Sequence, residues 1–253
     1  MKIDITSDIH VDLNRPHDWS KTQGADTIVI AGDISNSVVR FGLGLSDIAK
    51  AYENVLVVPG NHDFYDTREH NLEVPRAMAL LKEQCFALPN VFLLDYGNAT
   101  IDGITFIGNI GWYDLVGPPD TAFLWRKLMN DYRFIDLSGA DEVRRLAASC
   151  AQQIDERLAH AERAVVVTHM APCVAAMNPE HLTNISPAYV NTLMEPVMVK
   201  HASRIAAWVF GHTHEPVDMV HPGCGVPILS HPRGYWNQSR FGTTWTGPRT
   251  IEV

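Results

Sequence analysis

Five short apolar runs constrain the fold of this chain more than any other feature of its sequence. They span residues 2–6, 26–31, 54–59, 164–168 and 205–210. Their Val and Ile content and their polar or glycine boundaries are typical of buried strands. The motifs at their ends are, in chain order, Asp8-Ile9-His10, Gly32-Asp33, Gly60-Asn61-His62-Asp63, Thr168-His169 and Gly211-His212-Thr213-His214. Because ligands of an open α/β sheet gather beyond the carboxyl ends of its strands, we expect one sheet edge to collect all five motifs.

Segments with helical apolar spacing lie between these runs. They cover residues 36–52, 67–86 and 141–161, whereas residues 98–108 predict a hairpin centred on Asp102-Gly103. The first half of the chain therefore has a β-α-β-α-β order. The second half repeats that order after a segment rich in Pro, Trp and Met. Taken alone, the first half predicts a doubly wound α/β sheet.

Length and composition predict one large domain over residues 1–253. The chain has 253 residues, of which 46% are hydrophobic and 19% are charged, so it can bury a sizeable core. It has no apolar run of roughly 18 residues, and a strand follows Met1-Lys2 directly. We therefore expect neither a membrane span nor a signal peptide, and we predict a soluble, cytoplasmic protein. The four cysteines form no C-x-x-C pair, which predicts reduced thiols.

The formal net charge of −9 argues against a nucleic-acid partner, because sequence-independent phosphate binding depends on clustered Lys and Arg. No dense basic patch is visible in the sequence. Bound cations could still attract phosphate, so the partner we expect is a small phosphorylated substrate. The pattern leaves the oligomeric state open.

The side chains of the five motifs are suited to metal ions. They offer carboxylate, imidazole and amide groups without a thiolate, a set that suits Mn²⁺, Fe or Zn²⁺ in an open, catalytic kind of site. One carboxylate can bridge two cations roughly 3.5 to 4 Å apart and so position a shared hydroxide for attack on phosphorus. Asp33 is the natural bridge, since it is the lone carboxylate at the central strand end. We therefore predict two divalent metal ions as cofactors.

The ordered motifs make this chain resemble the calcineurin-like metallophosphoesterase superfamily over residues 8–214. The resemblance implies an α/β fold in which two mixed sheets pack in a four-layer α/β/β/α sandwich. It also implies two sets of metal ligands, which are Asp8, His10, Asp33 and His214 for the first ion, and Asp33, Asn61, His169 and His212 for the second. By the same resemblance, His62 would be a catalytic non-ligand that stabilises charge on the phosphate or protonates the leaving oxygen. Asp63 would orient the His62 imidazole.

Residues around the motifs indicate which branches of the superfamily this chain resembles. Gly32-Asp33 continues with Ile34-Ser35-Asn36, which matches neither the Asp-Arg signature of Ser/Thr protein phosphatases nor the tyrosine of purple acid phosphatases. The full signature is shared with class III cyclic-nucleotide phosphodiesterases. Similarity to an uncharacterised bacterial and phage subgroup rests on Trp112, Asp114, Met129-Asn130-Asp131-Tyr132-Arg133 and Pro232-Arg233-Gly234-Tyr235.

The segment over residues 112–133 interrupts the strand and helix order with Gly117-Pro118-Pro119 and several aromatic residues. Because such loops often carry specificity, we predict that Trp112, Tyr132 and Arg133 contact the substrate. The alternative is that the aromatic rings bury a satellite core. Arg233 is the predicted phosphate clamp, since guanidinium is a planar bidentate donor. Its alternative is an ion pair with a surface carboxylate.

These features predict a metal-dependent hydrolase of phosphodiester or phosphomonoester bonds. Its substrate would be small and nucleotide-like, and a bridging hydroxide would attack with inversion at phosphorus. Two alternatives stay open, namely a catalytically silent metal-binding or interaction protein on the same fold, and a nuclease.

Overall fold

Two β-sheets form the centre of the molecule. The structure is a computed structural model that describes residues 1–236 and 245–253. Its strands are β1 (Lys2–Thr6), β2 (Thr27–Ala31), β3 (Asn54–Val58), β4 (Val91–Leu93), β5 (Ala99–Ile101), β6 (Ile104–Asn109), β7 (Ala164–Thr168), β8 (Ile205–Phe210), β9 (Val217–Val220), β10 (Pro227–Ser230) and β11 (Arg249–Glu252). Its α-helices are α1 (Val38–Ala49), α2 (Val74–Phe86), α3 (Thr121–Leu128), α4 (Asp131–Phe134), α5 (Ala140–Leu158) and α6 (Met194–Lys200).

Both sheets are mixed. The first has the strand order β11-β1-β2-β3-β4, in which β11 runs antiparallel to four parallel strands. The second has the order β5-β6-β7-β8-β10-β9, in which the two edge strands are antiparallel to their neighbours. The five predicted runs are β1, β2, β3, β7 and β8, so the predicted strands are confirmed. The carboxyl ends of the parallel strands lie at one edge of each sheet.

Alternating side chains on the strands build two cores. Between the sheets lie apolar residues from both of them, including Ile5, Val29, Leu56, Phe106 and Val167, all fully buried. Their neighbours along the strands point the other way and pack beneath the helices, as period-two alternation requires. Helices α1 and α2 cover the first sheet, and α5 covers the second. The four-layer α/β/β/α sandwich of two mixed sheets is therefore confirmed.

Local chemistry explains where the elements begin. Helix α1 starts at Val38 instead of residue 36, because the Ser37 hydroxyl accepts hydrogen bonds from the Val39 and Arg40 amides and caps the helix. Helix α2 starts at Val74 instead of residue 67, with Pro75 in its first turn, where a missing N–H costs little. None of the helices in the described ranges is both apolar enough and long enough to cross a lipid bilayer.

The hairpin between β5 and β6 is confirmed. Asp102 and Gly103 both have positive φ angles, 50° and 78°, as the two central residues of a type I′ turn require. Asp is one of the few residues with a side chain that tolerates this backbone conformation, and Gly meets no steric penalty there.

A buried carboxyl group at the end of β4 should make stability depend on pH. Part of Asp95 is exposed, but its Oδ2 atom is buried without a hydrogen-bond partner among the described residues, and Oδ1 accepts a long 3.4 Å bond from the Ile110 amide. Burial raises the pKa of Asp95 to about 7. An unfolded chain loses this proton near pH 4. The folded protein therefore loses stability as the pH rises from about 4 to about 7, and the loss persists above pH 7.

We expect Asp95→Asn to remove this dependence, because an amide has no proton to lose. The free energy of unfolding of the variant, relative to wild type, should rise by about 2 to 3 kcal/mol between pH 5 and pH 8. Urea unfolding of metal-free protein at both pH values measures this difference, with Asp47→Asn as the control for removal of an exposed carboxylate. A difference that stays constant with pH would contradict the prediction.

Candidate metal centre

The five motifs meet where the carboxyl ends of the two sheets face each other. The first sheet contributes Asp8, His10, Asp33 and Asn61 after β1, β2 and β3. The second sheet contributes His169, His212 and His214 after β7 and β8. The carboxylates and imidazoles form two groups, in each of which one potential ligand atom per residue lies within 4.8 Å of the others. The sequence predicted that the motifs would meet at one edge of one sheet. In the structure they meet, but two sheets contribute them.

The first group consists of Asp8, His10, Asp33 and His214. The Nε2 atom of His214 lies 3.2 Å from Asp8 Oδ1 and 3.2 Å from His10 Nε2. His10 Nε2 lies 3.8 Å from Asp33 Oδ2. Two imidazole nitrogens and two carboxylates therefore face a common point, as the ligands of one cation do.

The second group consists of Asp33, His169 and His212. His169 Nε2 lies 3.2 Å from Asp33 Oδ1 and 3.0 Å from Asn61 Oδ1, so the amide oxygen joins the group. The other ring nitrogen of His169, Nδ1, donates to the Ala31 carbonyl at 2.7 Å. That bond leaves Nε2 free of its proton in the neutral ring, which is how protein structures commonly orient a metal-binding histidine. Both predicted ligand sets are brought together, and their role as ligands stays a prediction.

The donor atoms fit divalent cations. Asp33 Oδ2 is buried and has no hydrogen-bond partner within the described residues, and it faces His10 Nε2. A buried, unpaired carboxylate oxygen is costly unless a charge or a donor balances it. A cation between His10 and Asp33 would supply that balance, and the oxygen and nitrogen donors suit Mn²⁺, Fe or Zn²⁺.

The backbone holds the ligand residues in an uncommon conformation. Asp8, His10, Asp33, His212 and His214 all have positive φ angles, between 44° and 66°. Residues other than Gly, Asn, Asp and His are rare in this region. Holding a residue other than glycine there costs on the order of 1 kcal/mol or more in conformational free energy. The turns after β1, β2 and β8 thus set the direction of the ligand side chains through the main chain itself.

Gly60 shows how closely the turns approach the ligands. A Cβ atom on Gly60 would lie 2.0 Å from Asp33 Oδ1 and 2.5 Å from the Asp33 amide nitrogen. No side chain fits there, so glycine is required for the backbone after β3 to pass beside Asp33.

Histidines of the site help to balance the charges of its buried acids. Burial raises the pKa of Asp33, but the hydrogen bond to His169 and the charges of the neighbouring histidines, His169 foremost, together outweigh burial and hold that pKa well below its usual range. Burial likewise opposes a charge on His169, yet Asp33 raises the pKa of His169 to about 9. Burial lowers the pKa of His10 and His212 to about 4, so both rings are neutral near pH 7. A cation at Asp33 would therefore displace the proton of His169.

Asp63 does not orient His62, which corrects the sequence prediction. Its carboxylate accepts hydrogen bonds of 2.8 to 3.1 Å from the backbone amides of Gly60, Asp33, Ile34 and Ser35. Asp63 thereby ties the turn after β2 to the turn after β3. Its role here is to fix the loop that carries Asp33.

His62 is held by three other residues. Its Nδ1 atom donates to Asn36 Oδ1 at 2.5 Å, and its Nε2 atom accepts from the Tyr235 hydroxyl at 3.1 Å. The Tyr65 ring stacks on the imidazole with centroids 3.9 Å apart. Burial lowers the pKa of His62 to about 3, so the ring is neutral and Nε2 carries the lone pair. Nε2 therefore faces Tyr235 and the cavity above the ligands.

That cavity has a volume of about 280 Å³ and lies over both ligand groups. Its walls include three tyrosines, the end of α3 and the loop after it, namely Tyr65, Tyr189, Tyr235, Leu128, Met129 and Asn130. The segment predicted to reach the substrate, residues 112–133, does reach the cavity, through residues 128–130. Tyr189 carries no motif that could have indicated its position, whereas Tyr235 belongs to the Pro232-Arg233-Gly234-Tyr235 motif, from which only Arg233 was predicted to contact substrate.

The individual residues predicted to contact substrate lie elsewhere. Trp112 is 3% exposed and packs against Phe64 in the core, which overturns its assignment to the cavity wall. The Tyr132 ring packs against Trp125 and lies beside the guanidinium of Arg68.

The two predicted arginines also point away from the cavity. The Arg133 guanidinium donates to the Lys127 carbonyl at 3.2 Å. The Arg233 guanidinium donates to the Arg15 carbonyl at 2.5 Å and lies over the Trp245 ring. Neither side chain lines the cavity, so in this conformation Arg233 does not act as a phosphate clamp.

Comparisons with known proteins agree with this geometry. A family model described as calcineurin-like phosphoesterase matches residues 1–216. An uncharacterized protein from Acanthamoeba polyphaga mimivirus is 25% identical over 226 residues, which cover 82% of this chain and 78% of that protein. The crystal structure of phosphopantetheinyl hydrolase from Mycobacterium tuberculosis superposes with a TM-score of 0.83 at 16% identity, and the match covers 99% of this chain and 95% of that one. The latter similarity shows a shared fold.

Proposed function

Since this chain belongs to the calcineurin-like phosphoesterase family and is a metal-dependent phosphoester hydrolase, we propose that it works with two divalent cations on a small, nucleotide-like substrate. The first cation would be held by Asp8, His10, Asp33 and His214, and the second by Asp33, Asn61, His169 and His212. Mn²⁺, Fe and Zn²⁺ all suit these donors.

The arrangement of Asp33 carries the proposal of a dinuclear centre. Its Oδ2 atom faces His10 in the first group, and its Oδ1 atom faces His169 in the second. One carboxylate thus presents a separate oxygen to each group, which is the arrangement that a bridging ligand needs. When bound, the two cations would neutralise charge on the phosphate and lower the pKa of a water molecule that attacks phosphorus.

His62 is the residue of this chain best placed to handle the leaving group. Its Nε2 atom points toward Tyr235 at the cavity wall, while Asn36 accepts the proton on Nδ1. An imidazole fixed in this way can take a second proton on Nε2 beside a bound phosphate and pass it to the leaving oxygen. Tyr235 can donate a hydrogen bond to the same nitrogen until substrate arrives.

The cavity walls support a small substrate with a flat or apolar group. Tyr65, Tyr189 and Tyr235 offer ring faces and phenol hydroxyls around a space of about 280 Å³. Aromatic rings stack on planar groups such as nucleobases. A volume of this size accommodates a small ligand at most.

A substrate panel tests the proposal. Metal-free protein is loaded with Mn²⁺, its metal content is measured, and turnover is compared on a bis-aryl phosphodiester, an aryl phosphomonoester, cyclic nucleotides and single-stranded DNA. The mycobacterial hydrolase is named for a phosphopantetheinyl substrate, so a phosphopantetheine ester belongs in the same panel. We expect two ions per chain and turnover of the small esters. Activity on long DNA alone would overturn the small-substrate proposal, and two bound ions without any turnover would favour the silent scaffold.

A further inference from the structure

Asp131 is a fully buried carboxylate that lies next to the second ligand group without belonging to it. It is the first residue of α4 and lies in the motif Met129-Asn130-Asp131-Tyr132-Arg133. The metal-ligand pattern gives this motif no role. Three polar side chains from two other parts of the chain converge on Asp131, namely Asn61 and Tyr65 of the turn after β3, and Tyr113.

The hydrogen bonds to Asp131 all run in one direction. Its Oδ1 atom accepts from Asn61 Nδ2 at 2.8 Å and from the Tyr65 hydroxyl at 2.7 Å. Its Oδ2 atom accepts from the Tyr113 hydroxyl at 2.7 Å. Tyr113 in turn accepts from the Trp125 indole N–H, which can only donate. The Tyr113 proton must therefore point toward Asp131, and the chain of donors ends at the carboxylate.

This direction fixes the Asn61 amide. An ionised carboxylate only accepts hydrogen bonds, so it selects the NH₂ end of the amide and rejects the oxygen end. With Nδ2 held by Asp131, Asn61 Oδ1 points to the opposite side, 3.0 Å from His169 Nε2 in the second ligand group. The reversed amide would place an NH₂ group against the ligands and an oxygen against the carboxylate.

The same carboxylate also supports the residue behind His62. Tyr65 accepts a 3.3 Å hydrogen bond from Asn61 Nδ2 and donates to Asp131. Its ring stacks on the His62 imidazole. Asp131, at the start of α4, thus accepts hydrogen bonds both from the candidate ligand Asn61 and from Tyr65, the residue that stacks on His62.

We propose that Asp131 is a positioning residue whose carboxylate holds the Asn61 amide with its oxygen toward the second cation site. The inference rests on the dinuclear function proposed above. It assigns Asp131 to the shell of side chains that orient a ligand, where substitutions commonly lower metal affinity by about tenfold to a hundredfold.

The first experiment is a Mn²⁺ titration of metal-free protein by calorimetry, together with the EPR signal of a spin-coupled Mn²⁺ pair. For Asp131→Asn we expect one of the two binding steps, the one at the site that contains Asn61, to lose about tenfold to a hundredfold in affinity, with loss of the coupled signal. The other step should be unchanged. Asp114→Asn is the matched control, because Asp114 is a buried carboxylate of the same segment that accepts from the Val116 and Thr192 amides instead.

A second pair of variants reverses the sign of the effect. In Asn61→Asp, the new carboxylate at position 61 faces the carboxylate of Asp131. The repulsion between the two opposes folding and metal binding. Adding Asp131→Asn to that variant restores a donor opposite the new carboxylate. The substitution at position 131 should therefore weaken the second Mn²⁺ site in wild type and strengthen it, by about tenfold or more, in the Asn61→Asp background. A residue that merely stabilises the fold would not produce this reversal.

The outcomes distinguish failure of the positioning role of Asp131 from failure of the proposed dinuclear function. Wild-type affinities for both ions in folded Asp131→Asn would overturn the inference, and so would equal losses at both sites. Failure of Asp131→Asn to strengthen the second site in the Asn61→Asp background would do the same, and this comparison decides the matter if the single variant is too unstable to titrate. Uptake of fewer than two ions by the wild-type protein would overturn the dinuclear function, and the inference with it.

Discussion

Asp33→Asn should leave a protein that no longer binds two ions and whose rate of phosphoester hydrolysis is lower by about a thousandfold or more. Asp33 is the one residue common to both ligand groups, and its charge balances the proton on His169. An amide in its place offers one oxygen without a charge. The ions supply several kcal/mol of transition-state stabilisation, and each 1.4 kcal/mol is about tenfold in rate. Metal analysis after dialysis and turnover of an aryl phosphodiester measure both effects.

The control for this variant is Asp4→Asn. Asp4 is also a fully buried carboxylate of the first sheet, but it accepts hydrogen bonds from Tyr52, Thr250 and Gly24, away from the ligand groups. It should keep both ions and its activity even if it is less stable. Retention of two ions by Asp33→Asn would show that the bridge has been assigned to the wrong residue.

His62→Ala should reduce turnover by about a hundredfold to ten-thousandfold and leave metal binding intact. The imidazole is outside both ligand groups, so its removal takes away proton transfer and charge stabilisation without removing a ligand. Initial rates on two diesters, one with an aryl and one with an alkyl leaving group, test this division. If His62 protonates the leaving oxygen, the alkyl ester should lose more, because an alkoxide leaves poorly without a proton. Equal losses would indicate that His62 stabilises charge on the phosphate instead.

His201→Ala provides the comparison for this second variant. His201 is likewise buried, and its Nε2 atom bonds to Asp155 of α5, which belongs to neither ligand group. It should turn over substrate as wild type does. A His62→Ala protein that loses its ions would contradict the assignment of His62 as a non-ligand.

The strand ends could be predicted because each depends on local pattern. A run of Val and Ile followed by Gly-Asp or Gly-His-x-His marks both the strand and the point where it stops. The contacts of His62 could not be predicted in this way. Asn36 and Tyr235 lie 26 and 173 residues away, and no periodicity in the sequence indicates which distant turn will meet the imidazole.

The error over Asp63 has a specific cause. Residues His62–Phe64 form a single 3-10 turn, in which successive side chains point about 120° apart. Asp63 therefore faces the backbone of the neighbouring turn although it is adjacent to His62 in sequence. Side chains of adjacent residues do not point in the same direction, either in a helical turn or in a strand.

Trp112 was misplaced for a different reason. Helices and strands reveal which face is buried through their period, but residues 110–120 belong to neither and follow no period. In such a segment an aromatic residue gives no indication of whether it faces a cavity or the core. Trp112 lies in the core, whereas Met129 and Asn130, which are less conspicuous, line the cavity.

The ligand groups draw on both sheets, since Asp33 and Asn61 follow strands of one and His169 and His212 follow strands of the other. Cations held between them would bind the packed sheets and not the separated ones. Occupancy and folding are then thermodynamically linked, and each tenfold rise in free ion above the dissociation constant adds about 1.4 kcal/mol per site to the free energy of unfolding. The concentration of free metal ions would therefore set the stability of the folded protein as well as its rate of turnover.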